Sequence, residues 1–155
     1  SSPWWSWPLN LYPVWYFVDY QKSGMANIFA SGNPAAFWAG SIAIILTVLE
    51  VIKKRSVNLV IILLGFLSFW LPWALSPRIM FLYHFSPSIP FLCLSLGHQL
   101  NKLFTGQERE KKLAILLLLI IVISFILIFP FLTGIALPKK IISLFFTTNL
   151  AKNPF

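Results

Sequence analysis

Reactive side chains are scarce in this sequence: four carboxylates, two histidines and one cysteine stand among 155 residues, beside twelve Lys and Arg. Glu50, Glu108 and Glu110 fall on the side that the basic loops mark as cytoplasmic, where "GQEREKK" reads as a solvated charged loop and His98 as a solvated helix end. That leaves Asp19 as the candidate acid or base within the chain, and no second carboxylate beside it to make an acid–base pair. His84 and His98 do not make a zinc or iron site without further ligands, so no metal is expected. Cys93 lies inside an apolar run and reads as a small buried hydrophobe rather than a thiolate ligand or half of a disulfide. A Ser/His/Asp set, a Gly-rich phosphate loop and a dinucleotide fingerprint are all missing, and no cofactor is evident. The chain by itself does not read as a complete enzyme.

One stretch concentrates what polar chemistry there is: "LSPRIMFLYHFSPSIPFL", Leu75 to Leu92. Ser76 can cap a helix with Pro77 as its first residue, which puts Arg78 in the opening turn. A helix start already presents free N–H groups and partial positive charge, so Arg78 there predicts an anion site for a phosphate. The alternative is an arginine snorkelling to ordinary lipid phosphates. His84 would sit about 9 Å deeper on a regular helix and off the arginine's face. It is either hydrogen-bonded to a neighbour or part of a polar cavity with Tyr83, Ser86 and Ser88. Pro87 and Pro90 each remove a helix hydrogen bond, releasing the carbonyls of Tyr83 and Ser86 near it.

The elements that must hold these residues are membrane helices. With 58% hydrophobic and 10% charged residues and a mean hydropathy of +0.81, a soluble domain of this length could not hide its apolar surface. "LAILLLLIIVISFILIFPFL", Leu113 to Leu132, is an internal apolar run too long for a signal peptide. The expected fold class is all-α and polytopic, with four transmembrane helices at about 35–52, 57–75, 77–100 and 113–137. Ahead of them, residues 1–34 read as an aromatic-rich interfacial segment, with Trp4, Trp5, Trp7, Trp15, Tyr12, Tyr16 and Tyr20 punctuated by three prolines. Those rings serve either as plain anchors or as a substrate lining. Asn33-Pro34 reads as the N-cap and first residue of span one, and residues 138–155 as a tail.

The net charge of +8 would suit nucleic acid, but its basic residues sit at span ends, so membrane lipid is the expected partner and nucleic acid is not. Seven basic residues follow spans one and three (Lys53, Lys54, Arg55, Lys102, Arg109, Lys111, Lys112) against five on the other side (Lys22, Arg78, Lys139, Lys140, Lys152). The positive-inside rule then places the first group in the cytoplasm and both ends of the chain outside. The start "SSPWW", without Met, is expected to be trimmed from a longer protein.

"PWWSWPLNLYPVWYF" with "GNPAAFWAG", then "WLPWALSPRIMFLYHFSPSIPFL" and the tail "FPFLTGIALP", resembles in order the C-terminal four-helix membrane region of protein O-mannosyltransferases. Tyr12 stands where arginine would be expected, and Phe85 follows the histidine where tyrosine is usual. The resemblance implies part of an inverting, C-type glycosyltransferase in a bacterial plasma membrane. Such an enzyme takes a sugar, mannose in that family, from a polyprenyl-phosphate donor to a Ser or Thr hydroxyl of an exported protein. It also implies that the catalytic carboxylates lie upstream, in the missing N-terminal part of the same protein. Arg78 would then bind the donor phosphate, while His84, Tyr83, Trp7 and Tyr12 shape the cavity where donor and acceptor meet. Two other readings remain: a non-catalytic membrane module, such as a transporter part or partner-binding subunit, and a related transferase acting on a lipid or glycan. No internal repeat supports a transporter.

Overall fold

The computed structural model describes residues 1–20 and 25–136. Lys22, the end of the fourth expected span at residue 137, and the tail with Lys139, Lys140 and Lys152 lie outside the described residues. Four helices make up most of the rest: α1 (Pro34–Lys54), α2 (Val57–Trp70), α3 (Ile89–Thr105) and α4 (Glu108–Thr133). Asn33 and Pro34 start α1 as their chemistry predicts, with Asn33 Oδ1 accepting the Ala36 N–H at 3.3 Å. The Asn33 amide also donates to the Ile121 carbonyl at 2.8 Å, tying the head of α1 to the middle of α4. Arg55, left-handed at φ 51°, closes α1.

Helix packing follows the spacing of buried positions. Phe37, Gly40, Ile44, Thr47 and Glu50 line one stripe of α1, and Leu59, Leu63 and Phe66 one stripe of α2. α3 lies against both. A side chain at Gly40 would collide with Leu92, and one at Gly65 with Phe91, so these two glycines set the closeness of the α1–α3 and α2–α3 contacts. The core is formed by Trp7, Phe37, Ile44, Leu63, Phe66, Leu82, Phe85 and Leu92. By contrast α4 buries only Ala114 and Phe131. Among the described residues, three helical stretches are long and apolar enough to cross a membrane: Pro34–Lys54, Val57–Leu75 and Glu108–Thr133. Their exposed Leu, Ile and Val residues, which would be untenable in water, suit a hydrocarbon solvent.

Two expectations are corrected. The third span does not begin at Pro77. Residues 76–81 are irregular, a 3-10 turn covers Leu82–Ser88 with Pro87 inside it, and α3 starts only at Ile89. Pro90 therefore occupies the first turn of α3, where its missing N–H costs nothing, instead of kinking a longer helix. The N-terminal segment is also not a simple surface strip: the mostly helical fold carries a short two-stranded hairpin there. After a 3-10 turn at Trp4–Ser6, strands β1 (Val14–Tyr20) and β2 (Met25–Ala30) form an antiparallel hairpin. Its register runs from Val14 opposite Ala30 to Tyr20 opposite Met25, with an irregularity between Trp15 and Phe17, and β2 packs against α4.

Candidate functional site

The first residues of the chain thread into the bundle. Ser2 donates its N–H to the Met80 carbonyl at 2.8 Å, and its hydroxyl accepts the Trp7 indole N–H at 2.8 Å. Trp70 in turn donates its indole N–H to the Trp4 carbonyl at 2.9 Å. Residues 1–7 are thus clamped between the end of α2 and the segment that precedes α3. Trp7, expected at the membrane interface, is instead fully buried. Burial is tolerated because its one polar atom has a partner.

Around Trp7 the structure brings His84 and Tyr83 together with Trp73 and Phe85. The His84 ring lies 6.1 Å from Trp7 at an interplanar angle of 14°, 4.4 Å from Tyr83 at 24°, and 4.5 Å from Trp73 edge-on. His84 Nδ1 is 3.2 Å from the Phe81 amide nitrogen and 3.0 Å from the Phe81 carbonyl oxygen. Whichever bond the tautomer makes, the imidazole is tied back to the residue that precedes the 3-10 turn. It does locally what a cap does for a helix, and among the described residues Nε2 has no hydrogen-bond partner. Tyr83 is half exposed and lines a hollow of about 190 Å³ with Ser31, Phe37 and Ser86. Tyr12 lies elsewhere, lining a cleft of about 400 Å³ with Ser1, Ser2, Trp15 and Phe81.

Arg78 does not stand at a helix start. Ser76 directly follows the 3-10 turn Leu71–Leu75, and its hydroxyl accepts a long hydrogen bond from the Arg78 N–H, at 3.4 Å. The stacked backbone N–H groups of a helix N-terminus are therefore not what would hold an anion here. What the loop offers is the side chain: Arg78 is exposed and, among the described residues, has no carboxylate partner. It is flanked by Leu75 and Ile79, 88% and 75% exposed. A cation between two exposed aliphatic chains matches an amphiphile that carries a phosphate on a hydrocarbon tail. Asp19 sits near the turn end of the hairpin, opposite Ala26. That is five residues along β1 from Val14 in the Tyr12 cleft, or roughly 17 Å of strand.

The sequence reading missed the polar seam between α1 and α3. Thr47 and Ser95 share a 2.7 Å hydrogen bond, Gln99 donates to Thr47 at 3.2 Å, and buried Glu50 contacts Lys54, His98 and Lys102. His98 is therefore not the solvated helix end expected of it, but a partner of a buried carboxylate. Among the described residues, no group of three His, Cys, Asp or Glu could hold a metal.

Fold and site together define a predominantly helical integral membrane module with an aromatic hairpin segment at one end. Residues 1–144 match the family described as the C-terminal four TMM region of protein-O-mannosyltransferase, and the chain belongs to that family. It is 26% identical, over 90% of its length, to the polyprenol-phosphate-mannose–protein mannosyltransferase of Mycobacterium tuberculosis, and 25% identical, again over 90%, to that of Mycolicibacterium smegmatis. The chain spans about 30% of the length of these relatives. Its fold matches the Saccharomyces cerevisiae protein O-mannosyltransferase Pmt1-Pmt2 complex bound to the sugar donor, with a TM-score of 0.72 and 27% identity. That match covers 91% of this chain and 22% of the yeast chain.

Proposed function

We propose that this chain is the donor-binding membrane part of a transferase that moves mannose from a polyprenyl-phosphate carrier to a Ser or Thr hydroxyl of an exported protein. The observation that carries the assignment of roles is Arg78: an exposed guanidinium without a carboxylate partner among the described residues, between exposed Leu75 and Ile79, on a loop bonded through Met80 to the buried aromatic cluster. In the reaction the acceptor oxygen bonds to the anomeric carbon as the bond from that carbon to the phosphate oxygen breaks. The hydroxyl proton goes to a carboxylate supplied by the preceding part of the protein. Charge then grows on the departing polyprenyl phosphate, and a guanidinium beside it stabilises the transition state more than the ground state. Leu75 and Ile79 would meet the first isoprenoid units, and Tyr83 and His84 the sugar.

In this reading four spans cross the membrane. α3 and its preceding 3-10 turn form the third, and Asn33-capped α1 the first. The hairpin, Arg78 and both ends of the chain face outward from a bacterial plasma membrane, and Lys53–Arg55 faces the cytoplasm; the larger count of basic residues at that end supports this. The reaction class is tested by incubating the full-length protein with polyprenyl-phosphate-mannose and a Ser/Thr peptide. Mannosylated peptide is expected with that donor and not with a nucleotide-linked mannose; transfer from the nucleotide sugar alone would contradict the reading.

A further inference from the structure

The end of the bundle remote from Arg78 holds a second polar cluster that sugar transfer does not use. Glu50, 8% exposed, has Oε1 2.8 Å from Lys54 Nζ, and Oε2 2.9 Å from Lys102 Nζ and 3.1 Å from His98 Nε2. One carboxylate thus serves two ammonium groups and an imidazole contributed by two helices. The other acids at this end are occupied as well. Glu108 pairs with Lys111 at 2.6 Å, and Glu110 accepts the Gln107 N–H at 2.8 Å. Lys53, Arg55, Arg109 and Lys112 are exposed and, among the described residues, have no carboxylate partner. Seven Lys and Arg against three Glu leave four positive charges in excess at this end.

Pairing with helix C-termini accounts for part of that excess, since Lys54 and Lys102 lie in the last turns of α1 and α3. It does not account for two ammonium groups converging on one buried carboxylate at the membrane boundary of a spanning helix. We propose that Lys54 and Lys102, held together by Glu50, form a seat for the phosphate of an anionic phospholipid. Lys54 is 65% and Lys102 47% exposed, so each keeps donor capacity beyond its bond to Glu50, with Lys102 also reaching Gln99 Oε1 at 3.5 Å. Free lysines would lose much rotamer freedom in gripping a phosphate; Glu50 has already fixed these two. The Thr47–Ser95 and Thr47–Gln99 bonds beneath them hold α1 and α3 in register, so the spacing of the two ammonium groups is built into the bundle. The excess charge around the seat favours an anionic over a zwitterionic headgroup.

The test is lipid retention by the full-length protein, read by native mass spectrometry after exchange into micelles containing phosphatidylglycerol or phosphatidylcholine. Phosphatidylglycerol should be retained preferentially. The triple variant Glu50→Gln/Lys54→Gln/Lys102→Gln leaves no unpaired buried charge and should reduce that retention by about tenfold or more. Arg109→Gln lowers the net charge by the same single unit and should change it little. Equal losses in the two variants, or full retention in the triple variant, would overturn the proposal. So would displacement of the lipid by inorganic phosphate at constant ionic strength, which would make free phosphate the occupant. Lys102→Gln alone, leaving Glu50 with Lys54 and His98, should shift retention in the same direction if the triple variant does not fold.

Discussion

The imidazole of His84 lies nearly parallel to the indole of Trp7, with 6.1 Å between ring centres, so the head of the chain and the turn beyond Arg78 are built as one unit. Trp7 supplies the bulk, Ser2 ties it to Met80, and His84 ties itself to Phe81. The loop that carries Arg78 is therefore fixed on its far side although it has no regular structure of its own.

That unit should fail when Trp7 is truncated. Trp7→Ala leaves a hole among Trp73, His84 and Phe85 and is expected to cost about 3–5 kcal/mol of stability. Trp7→Phe, which keeps an aromatic ring and loses the bond to Ser2, should cost distinctly less. Thermal unfolding in detergent orders the two variants; equal losses would mean that the lost indole bond, and not the cavity, sets the damage.

Asn33 has two separable roles. Asn33→Ser keeps a capping oxygen for Ala36 and loses the amide bond to Ile121, whereas Asn33→Ala loses both. The alanine variant should be less stable than the serine variant by about 1 kcal/mol, the usual worth of an N-cap. A difference near zero would show the cap to be idle.

Gly40 is a contact point rather than a flexible joint. Gly40→Val drives a side chain into Leu92 and should destabilise the α1–α3 pair by about 1–3 kcal/mol. Leu92→Ala costs stability alone, yet combined with Gly40→Val it should recover part of the loss. Simple additivity in that double-mutant cycle would contradict direct contact.

Orientation has its own measurement. Ile79→Cys should react with a membrane-impermeant maleimide added outside intact cells, and Lys53→Cys only after the membrane is opened. The reverse pattern would invert the proposed topology.

What the sequence disclosed was mostly local chemistry. Asn33 and Pro34 start a helix because a capping oxygen and a fixed φ act within one turn, so no distant residue is needed to read them. Apolar run length likewise marks α1, α2 and α4, since hydrocarbon thickness sets it. The start of the third span misled because Ser76-Pro77 has the residue types of a helix cap, yet the backbone beyond it is satisfied elsewhere. Met80 bonds to Ser2, and Phe81 to His84. Those partners depend on tertiary structure.

The hairpin was hidden by its aromatic content. Val14–Tyr20 is rich in strand-favouring residues, but a sequence so full of Trp and Tyr reads equally as interface. The Glu50–His98–Lys102 cluster joins residues about 50 positions apart. No helical spacing announces such a pairing; only the packing of α1 on α3 creates it.

The phosphate role of Arg78 is tested most directly by donor turnover in the full-length protein carrying Arg78→Ala. Because the side chain is exposed, stability should stay within about 0.5 kcal/mol of the parent. Transfer of mannose from polyprenyl-phosphate-mannose should nevertheless fall by about tenfold or more, with Arg78→Lys in between. Unchanged turnover in a folded Arg78→Ala protein would contradict that role.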